Sequence, residues 1–345
     1  MKRVVITAGG SGGHLLPAQT VANELHREGI EVSFIGAGLG GNRFFDKRWS
    51  YEEICSASPS LRSCAHSLYR IGLGTVQAFS SLRKQKCDLM IGFGSYHTAP
   101  ALAAAVLRKI PLVLYEANAV PGRVTRLFSG FSLWTGCFFQ EASSWFRRSH
   151  LVAHPLRSSF YERPSRSQAR AYFGLSFTRR VLLVIGGSQG SSFINQWVPQ
   201  AVAQLHPQPA VIHLVGRHED LRVVEETYAQ ISIPAVVRVF EPMMSFAFSA
   251  ADMVICRAGA STIAEIEAYQ LPAVYIPLLY AKDHHQKKNA LAATKRGRAT
   301  MLEEKEMNTE SLVAMIHAVE RIERDTLHIE RENITSLILQ TLNRD

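Results

Sequence analysis

Short, uninterrupted apolar runs, each closed by a glycine turn, recur along this chain. Arg3-Val4-Val5-Ile6-Thr7-Ala8 leads into Gly9-Gly10-Ser11-Gly12-Gly13-His14, and Val181-Leu182-Leu183-Val184-Ile185 leads into Gly186-Gly187-Ser188-Gln189-Gly190-Ser191. Asp88-Leu89-Met90-Ile91 meets Gly92-Phe93-Gly94-Ser95-Tyr96, and Asp252-Met253-Val254-Ile255 meets Cys256-Arg257-Ala258-Gly259-Ala260-Ser261. An alanine-rich helical stretch follows in both places, then a proline-led strand at residues 111–115 and 272–276. Apolar runs alternating with helices predict parallel βαβ units. The pattern occurs twice in matched order. The expected fold is therefore α/β, two doubly wound Rossmann-like domains with ligand sites at the carboxyl ends of the strands and a ligand between the halves.

Glycine lets backbone approach an anion closely, and a helix that starts there offers unpaired N–H groups to a phosphate. A single such loop also fits tight strand–helix packing; two in matched contexts point to a ligand. A dinucleotide is disfavoured. Neither loop has G-x-G-x-x-G spacing, and residues 31–35 end in Gly36 rather than in a ribose-binding carboxylate. The P-loop lysine is missing too, so NAD and ATP both recede and diphosphate donors such as nucleotide sugars remain. Residues 257–265 suit such a donor, with helix-start amides for the diphosphate and Glu265 one turn on for a ribose. The competing reading is a capping box, Thr262 with Glu265. The stretch Lys282-Asp283-His284-His285-Gln286, with Asn289, reads as hydroxyl-binding amides and imidazoles. Adjacent histidines diverge, no second cluster joins them and no Asp-x-Asp occurs, so no metal is expected.

Charge divides the chain. Residues 1–156 carry 17 Lys/Arg against 9 Asp/Glu, a balance of +8, out of a net +9 for all 345 residues. An anionic partner for the first half follows, although no dense Arg/Lys–aromatic stripe marks nucleic acid. The apolar run after Lys2-Arg3 is too short for a signal peptide, and the apolar run at Ala99–Leu107 is too short to span a bilayer. Five scattered cysteines fit reduced thiols in cytosol. The expected linker runs from His154-Pro155-Leu156-Arg157 through Pro164-Ser165-Arg166.

These motifs, in this order, resemble the MurG family, bacterial cell-wall glycosyltransferases that add N-acetylglucosamine to undecaprenyl-diphospho-N-acetylmuramoyl-pentapeptide. The matching positions are 9–14 with Leu16-Pro17, 92–96, Glu116 with Asn118, Pro155 with Arg157, 186–190, 257–265 and 283–289. They cover nearly the whole chain. Tyr115 stands where family members often have histidine, and Glu241-Pro242 replaces an acidic or apolar pair.

The resemblance implies a GT-B fold, with residues 1–156 and 329–345 as the acceptor domain and 157–328 as the UDP-sugar domain. The final stretch is implied to form a helix that returns to the first domain. The resemblance also implies inversion at the sugar's anomeric carbon by the acceptor's C4 hydroxyl. Ser188, Ala260, Ser261 and Thr262 would meet the donor diphosphate, Glu265 the ribose, the backbone near Phe240 and Glu241 the uracil, and Gln286 with His285 the sugar. Ser11, Gly12, Gly13, Asn118 and Arg157 would complete the donor site; Gly9, Gly10, Gly94 and Tyr96 would serve the acceptor. No cofactor is implied.

The reaction needs a base. His14, whose imidazole ordinarily titrates near neutrality, is the first candidate; Pro17 in the first helical turn would place it just ahead of the helix. The plainer role for His14 is a phosphate contact or cap. Glu116 is the second candidate base. A UDP-sugar epimerase on the same frame and a non-enzymatic diphosphate-lipid binder are the rival classes. The partners expected are UDP-N-acetylglucosamine, the lipid-linked acceptor and, peripherally, the cytoplasmic face of the bacterial inner membrane. Leu68, Ile71, Leu73, Val76, Phe79 and Leu82, interleaved with Arg62, Arg70, Arg83, Lys84 and Lys86, fit such a surface. They equally fit a core stripe beside a solvated basic face, and Gly72 and Gly74 weigh against one continuous helix there.

Overall fold

The computed structural model describes residues 1–57, 64–187, 189–281, 284–296, 299–322 and 330–343. The chain divides into two compact units, Met1–Arg157 with Ile329–Asp345, and Ser158–His328.

Unit 1 is built on seven parallel strands: β1 (Arg3–Ala8), β2 (Glu31–Gly36), β3 (Ser50–Glu53), β4 (Leu89–Phe93), β5 (Leu112–Glu116), β6 (Trp134–Cys137) and β7 (Ser149–Leu151). Their spatial order is β3-β2-β1-β4-β5-β6-β7. Val4 pairs with Val32 on one side and Leu89 on the other, so β1 is central and the order reverses between β1 and β4. That reversal is where a doubly wound sheet leaves a crevice at its carboxyl edge. The connecting helices are α1 (Gly12–Arg27), α2 (Cys64–Gln85), α3 (Ala99–Leu107), α4 (Arg123–Ser129) and the short α5 (Gln140–Ser143). Val5, Met90 and Leu114 face Ala78 and Leu82 of α2, Leu102 of α3 and Phe128 of α4 in one core. Alternation turns Val4 and Ile6 to the opposite face, where α1 packs.

Helix α2 is continuous through Gly72 and Gly74, against the sequence expectation. A Cβ on Gly74 would fall 1.8 Å from the carbonyl oxygen of Cys55. The glycine is there for close backbone approach, and tertiary packing overrides its poor helix propensity.

Unit 2 repeats the plan with six parallel strands: β8 (Val181–Ile185), β9 (Ala210–Leu214), β10 (Ala235–Arg238), β11 (Met253–Cys256), β12 (Ala273–Tyr275) and β13 (Ala299–Met301). Their order, β10-β9-β8-β11-β12-β13, puts the reversal between β8 and β11. The helices are α6 (Arg166–Tyr172), α7 (Ser192–Ala203), α8 (His218–Gln230), α9 (Met244–Ala250), α10 (Ala260–Tyr269), α11 (His285–Thr294) and α12 (Thr309–Glu320). Leu182 and Val184 pack with Ile194 and Val198 of α7 and with Leu312 and Ile316 of α12. Each such buried aliphatic side chain contributes about 1.5–3 kcal/mol.

Most of the expected linker is part of this unit. Phe160 is buried beside Phe248 and Tyr269, and Arg163 donates to the carbonyl of Ala268 at 2.7 Å. Asp252 accepts from Arg170 at 2.7 Å and from the Val181 amide at 2.8 Å, fixing α6 to the base of β8. The prolines and polar residues concealed a docked segment.

The chain then re-enters unit 1 as α13 (Ile334–Leu342), which packs on α1. Thr341 accepts from the Trp134 indole N–H at 2.9 Å, and Glu332 bridges to Val152.

Candidate active site at the two switch points

In unit 1 the loop after β1 meets the loop after β4. A Cβ added to Gly9 would lie 2.2 Å from the Ser95 Cβ, so only glycine allows the two loops to touch. Ser95 has φ +78° and ψ 152°, a conformation nearly reserved for glycine and costing on the order of 1–3 kcal/mol elsewhere. Its carbonyl is held by the Thr98 hydroxyl at 2.8 Å and the Thr98 amide at 3.3 Å. The next loop, after β5, is organised by Glu116. The buried carboxylate accepts from the amides of Asn118 at 3.0 Å and Gly122 at 2.9 Å, and from the Asn118 side chain at 3.2 Å. Burial pushes its carboxyl up from the ordinary value, while hydrogen bonds from Asn118, Gly122 and Thr125 pull it down.

Gly13, His14, Gly94, Glu116 and Asn118 line one pocket in this unit, together with Ser95 and Thr125. Five residues singled out from sequence are thus brought together; Ser95 and Thr125 are additions. Ser95 could have been suspected from its place beside Gly94, whereas no local pattern marks Thr125. Tyr96 sits half-buried in a single 3-10 turn against the core. Asn42, on the loop after β2, donates to the carbonyl of Gly10 at 2.6 Å and steadies the first glycine loop. Arg157 is half-buried at the last residue of the unit's main run, one position beyond the expected boundary.

His14 is not ahead of its helix. The helix begins at Gly12, His14 is its third residue, and Pro17 lies inside it. Ser11, extended at φ −89° and ψ 152°, starts the helix, and the only backbone acceptor Pro17 fails to serve is the Gly13 carbonyl, within the first turn. The His14 Nδ1 and the Ser11 hydroxyl are 2.7 Å apart.

In unit 2 the loop after β8 passes through Gly187 and Gly190, both at positive φ. A Cβ on Gly190 would strike the Val215 carbonyl at 2.5 Å, so this turn lies directly on the end of β9. Ser188 lies outside the described residues, as do Lys282 and Asp283. The start of α10 carries Ala260, Ser261 and Thr262 as its first three residues, with Glu265 one turn further. The helix is capped at Gly259 with no side-chain cap bond. The Thr262–Glu265 capping box therefore does not form: both residues are already inside the helix. The first amides of α10 face the carboxyl edge of the sheet uncapped by any side chain, as an anion site requires.

Buried groups behind the loop hold it. Arg257 donates to the Ile276 carbonyl at 3.0 Å and the Ser191 hydroxyl at 2.6 Å, and pairs with Glu304 at 2.5 Å. Asn289, expected as a hydroxyl-binding amide, is fully buried and donates to the Ala258 carbonyl at 3.2 Å. His285 and Gln286 open α11, and the Gln286 carbonyl oxygen accepts from the Leu278 amide at 3.0 Å. The Glu241 carboxylate is likewise fully buried, bonded to Arg238, to the Tyr172 hydroxyl at 3.3 Å and to the Met243 amide at 2.7 Å. What this turn offers a ligand is its backbone and the exposed ring of Phe240. Among the described residues no group of three or more His, Cys, Asp or Glu side chains is arranged to hold a metal ion.

Two doubly wound units, each with an anion-ready helix start at its switch point, define a two-domain glycosyltransferase of the GT-B class. The glycosyltransferase family 28 N-terminal domain matches residues 4–133, and the family 28 C-terminal domain matches residues 181–336. The crystal structure of MurG from Acinetobacter baumannii superposes with a TM-score of 0.82 at 25% identity, covering 100% of both chains. Two curated relatives carry the name UDP-N-acetylglucosamine–N-acetylmuramyl-(pentapeptide) pyrophosphoryl-undecaprenol N-acetylglucosamine transferase. That of Protochlamydia amoebophila is 37% identical over 299 residues, 84% of this chain and 79% of that protein. That of Chlamydia trachomatis serovar L2 is 36% identical over 322 residues, 90% and 88%. The chain belongs to glycosyltransferase family 28 and, within it, to this N-acetylglucosamine transferase family.

Proposed function

We propose that this protein transfers N-acetylglucosamine from UDP-N-acetylglucosamine to the C4 hydroxyl of undecaprenyl-diphospho-N-acetylmuramoyl-pentapeptide, in peptidoglycan synthesis. The observation that carries the reading is the pairing of the uncapped α10 start and Glu265 in unit 2 with the His14 pocket in unit 1, in a chain of this family. Unit 2 takes the donor: the first amides of α10 bind the diphosphate and Glu265 the ribose hydroxyls. Unit 1 takes the acceptor, whose diphosphate suits the loop of Gly9 and Gly10 and whose sugar enters the pocket beside Gly94 and Tyr96.

In the step itself the acceptor oxygen forms a bond to the anomeric carbon while the bond to UDP breaks, with inversion. The electron pair leaves on the diphosphate, where helix-start dipoles stabilise it without need of a metal. His14 removes the hydroxyl proton. Glu116 is less suited, because its oxygens are already engaged by the loop they hold.

No helix among the described residues is long and apolar enough to cross a membrane. Leu68 and Val76 on α2 are 63% and 64% exposed, and Arg70, Arg83 and Lys84 on the same helix are exposed as well. This face of unit 1 rests peripherally on the cytoplasmic side of the bacterial inner membrane, beside a substrate whose lipid stays in the bilayer. Leu82, expected on the same stripe, is buried and belongs to the core.

The test is the product. Its new sugar should be β-linked to the C4 oxygen of the acceptor by NMR; an α link or another hydroxyl would overturn the reading.

A further inference from the structure

Helix α11 starts without a side-chain cap. His284, the residue before it, is left-handed at φ +52° and makes no side-chain cap bond. Side chains along the helix hold it instead. The Gln286 carbonyl oxygen accepts from the Leu278 amide at 3.0 Å, and the buried Asn289 side chain donates to the Ala258 carbonyl at 3.2 Å. Between them, Lys287 pairs with Glu303 at 2.6 Å.

Glu303 stands on a firm base. It follows Leu302, which is buried just past β13 and whose amide donates to the Tyr275 carbonyl of β12 at 3.0 Å. The Glu303 backbone is extended, at φ −77° and ψ 145°, and successive side chains on extended backbone diverge. Here they part to two elements: Glu303 to Lys287 of α11, and Glu304 to Arg257 on the loop before α10. The Glu303 side chain is 16% exposed and that of Lys287 38%. The hydrogen bond from Lys287 holds the Glu303 carboxyl below its ordinary value, and Lys305 adds a looser contact at 3.6 Å. Two adjacent carboxylates thus brace two parts of the donor domain separately. The Leu278 bond also orients the Gln286 amide: with its oxygen taken by a backbone N–H, its NH2 group is what it can offer a hydroxyl.

We propose that Glu303 is a positioning residue for the sugar end of the donor site: through Lys287 it sets the first turn of α11, so that His285 and Gln286 meet the sugar hydroxyls, while Glu304 sets the diphosphate loop through Arg257. The proposal rests on the reading of unit 2 as the donor domain with His285 and Gln286 at the sugar. It divides the labour of the two carboxylates. Glu303 serves the part of the donor that UDP lacks, and Glu304 the part that UDP and the UDP-sugar share.

The experiment titrates UDP and UDP-N-acetylglucosamine calorimetrically into the full chain, as wild type, Glu303→Gln, Lys287→Met, the double variant, Glu304→Gln and Gln286→Ala. Members of one salt-bridge network couple measurably, so Glu303→Gln should weaken UDP-N-acetylglucosamine by roughly 3–10-fold. Its affinity for UDP alone should change by less than about twofold, the scatter expected of independent sites. Lys287→Met should behave in the same way, and the double variant should be no worse than either single one. Glu304→Gln should weaken both ligands by a common factor. Lys287→Met gives the same reading should Glu303→Gln fail to fold. Loss of both ligands in equal measure in Glu303→Gln, or additive losses in the double variant, overturns the proposal, since a merely structural role predicts either. So does an unchanged affinity for the UDP-sugar. Gln286→Ala that binds the UDP-sugar normally removes the sugar reading on which the proposal stands. Gln286→Ala impaired toward the UDP-sugar beside an unimpaired Glu303→Gln defeats only the role of Glu303.

Discussion

Arg257 reaches across unit 2 to donate to the Ser191 hydroxyl at 2.6 Å, tying the start of α7 to the loop that leads into α10. Both ends of the proposed diphosphate site thus hang on one buried guanidinium, itself paired with Glu304.

Removing that guanidinium strands a carboxylate and a hydroxyl in the interior. Breaking a buried pair from one side costs about 3–5 kcal/mol. Arg257→Ala should therefore destabilise the protein by an amount near that range in denaturant titrations and weaken UDP binding as the two loops separate. Stability and UDP affinity both close to wild type would show that the tie does not position the loops.

Glu265→Ala separates ribose binding from helix stability. A charge-assisted hydrogen bond is worth about 1.5–3 kcal/mol, so donor affinity should fall by roughly 10–100-fold. Because α10 is capped at Gly259, thermal stability should change little. Calorimetric titration with UDP and a melting curve on the same variant check both halves of the statement.

The strands and glycine loops of both units were legible because each signal is local: an apolar run, then a glycine where the chain turns. What escaped was decided at a distance. The helical path through Gly74 depends on the Cys55 carbonyl, and the docking of residues 158–166 depends on Phe160 finding Phe248 and Tyr269. Thr262 and Glu265 have capping-box spacing, but Arg257 and Asn289 hold the preceding loop so that the helix begins three residues earlier. Of the site, glycines and their flanking polar residues could be read directly. The contribution of Thr125 emerges only when separate loops are folded together, and the Ser11–His14 bond only once the start of α1 is set at Gly12.

The α2 face gives a membrane prediction. Leu68→Ser with Val76→Ser should reduce co-sedimentation with vesicles containing anionic lipid, while UDP binding and melting temperature stay as in wild type, since both side chains are exposed. Binding should also fall with added salt. Unchanged vesicle binding in the double variant would place the contact elsewhere.

Acid should destabilise both units. Burial drives His213 in unit 2 and His154 in unit 1 down from the ordinary 6.5 to about 3. Between those values the unfolded chain holds more protons than the folded one, so stability rises with pH and is lost as pH falls from 6.5 towards 3. Each histidine contributes up to about 1.4 kcal/mol per pH unit in that window. Urea unfolding at pH 7 and pH 5 should show the loss. His213→Gln should flatten part of the slope while lowering stability at pH 7, because Asn195 and Tyr228 bond to the ring at 3.1 Å each. A slope unchanged by the substitution would mean that His213 is not the source.

Sugar transfer itself is tested most directly by UDP release from the full chain given UDP-N-acetylglucosamine, with and without the lipid-linked acceptor. The account predicts release that depends on acceptor and matches, mole for mole, the N-acetylglucosamine gained by the lipid. Conversion of the UDP-sugar to an isomer, or UDP release at the same rate without acceptor, would contradict it.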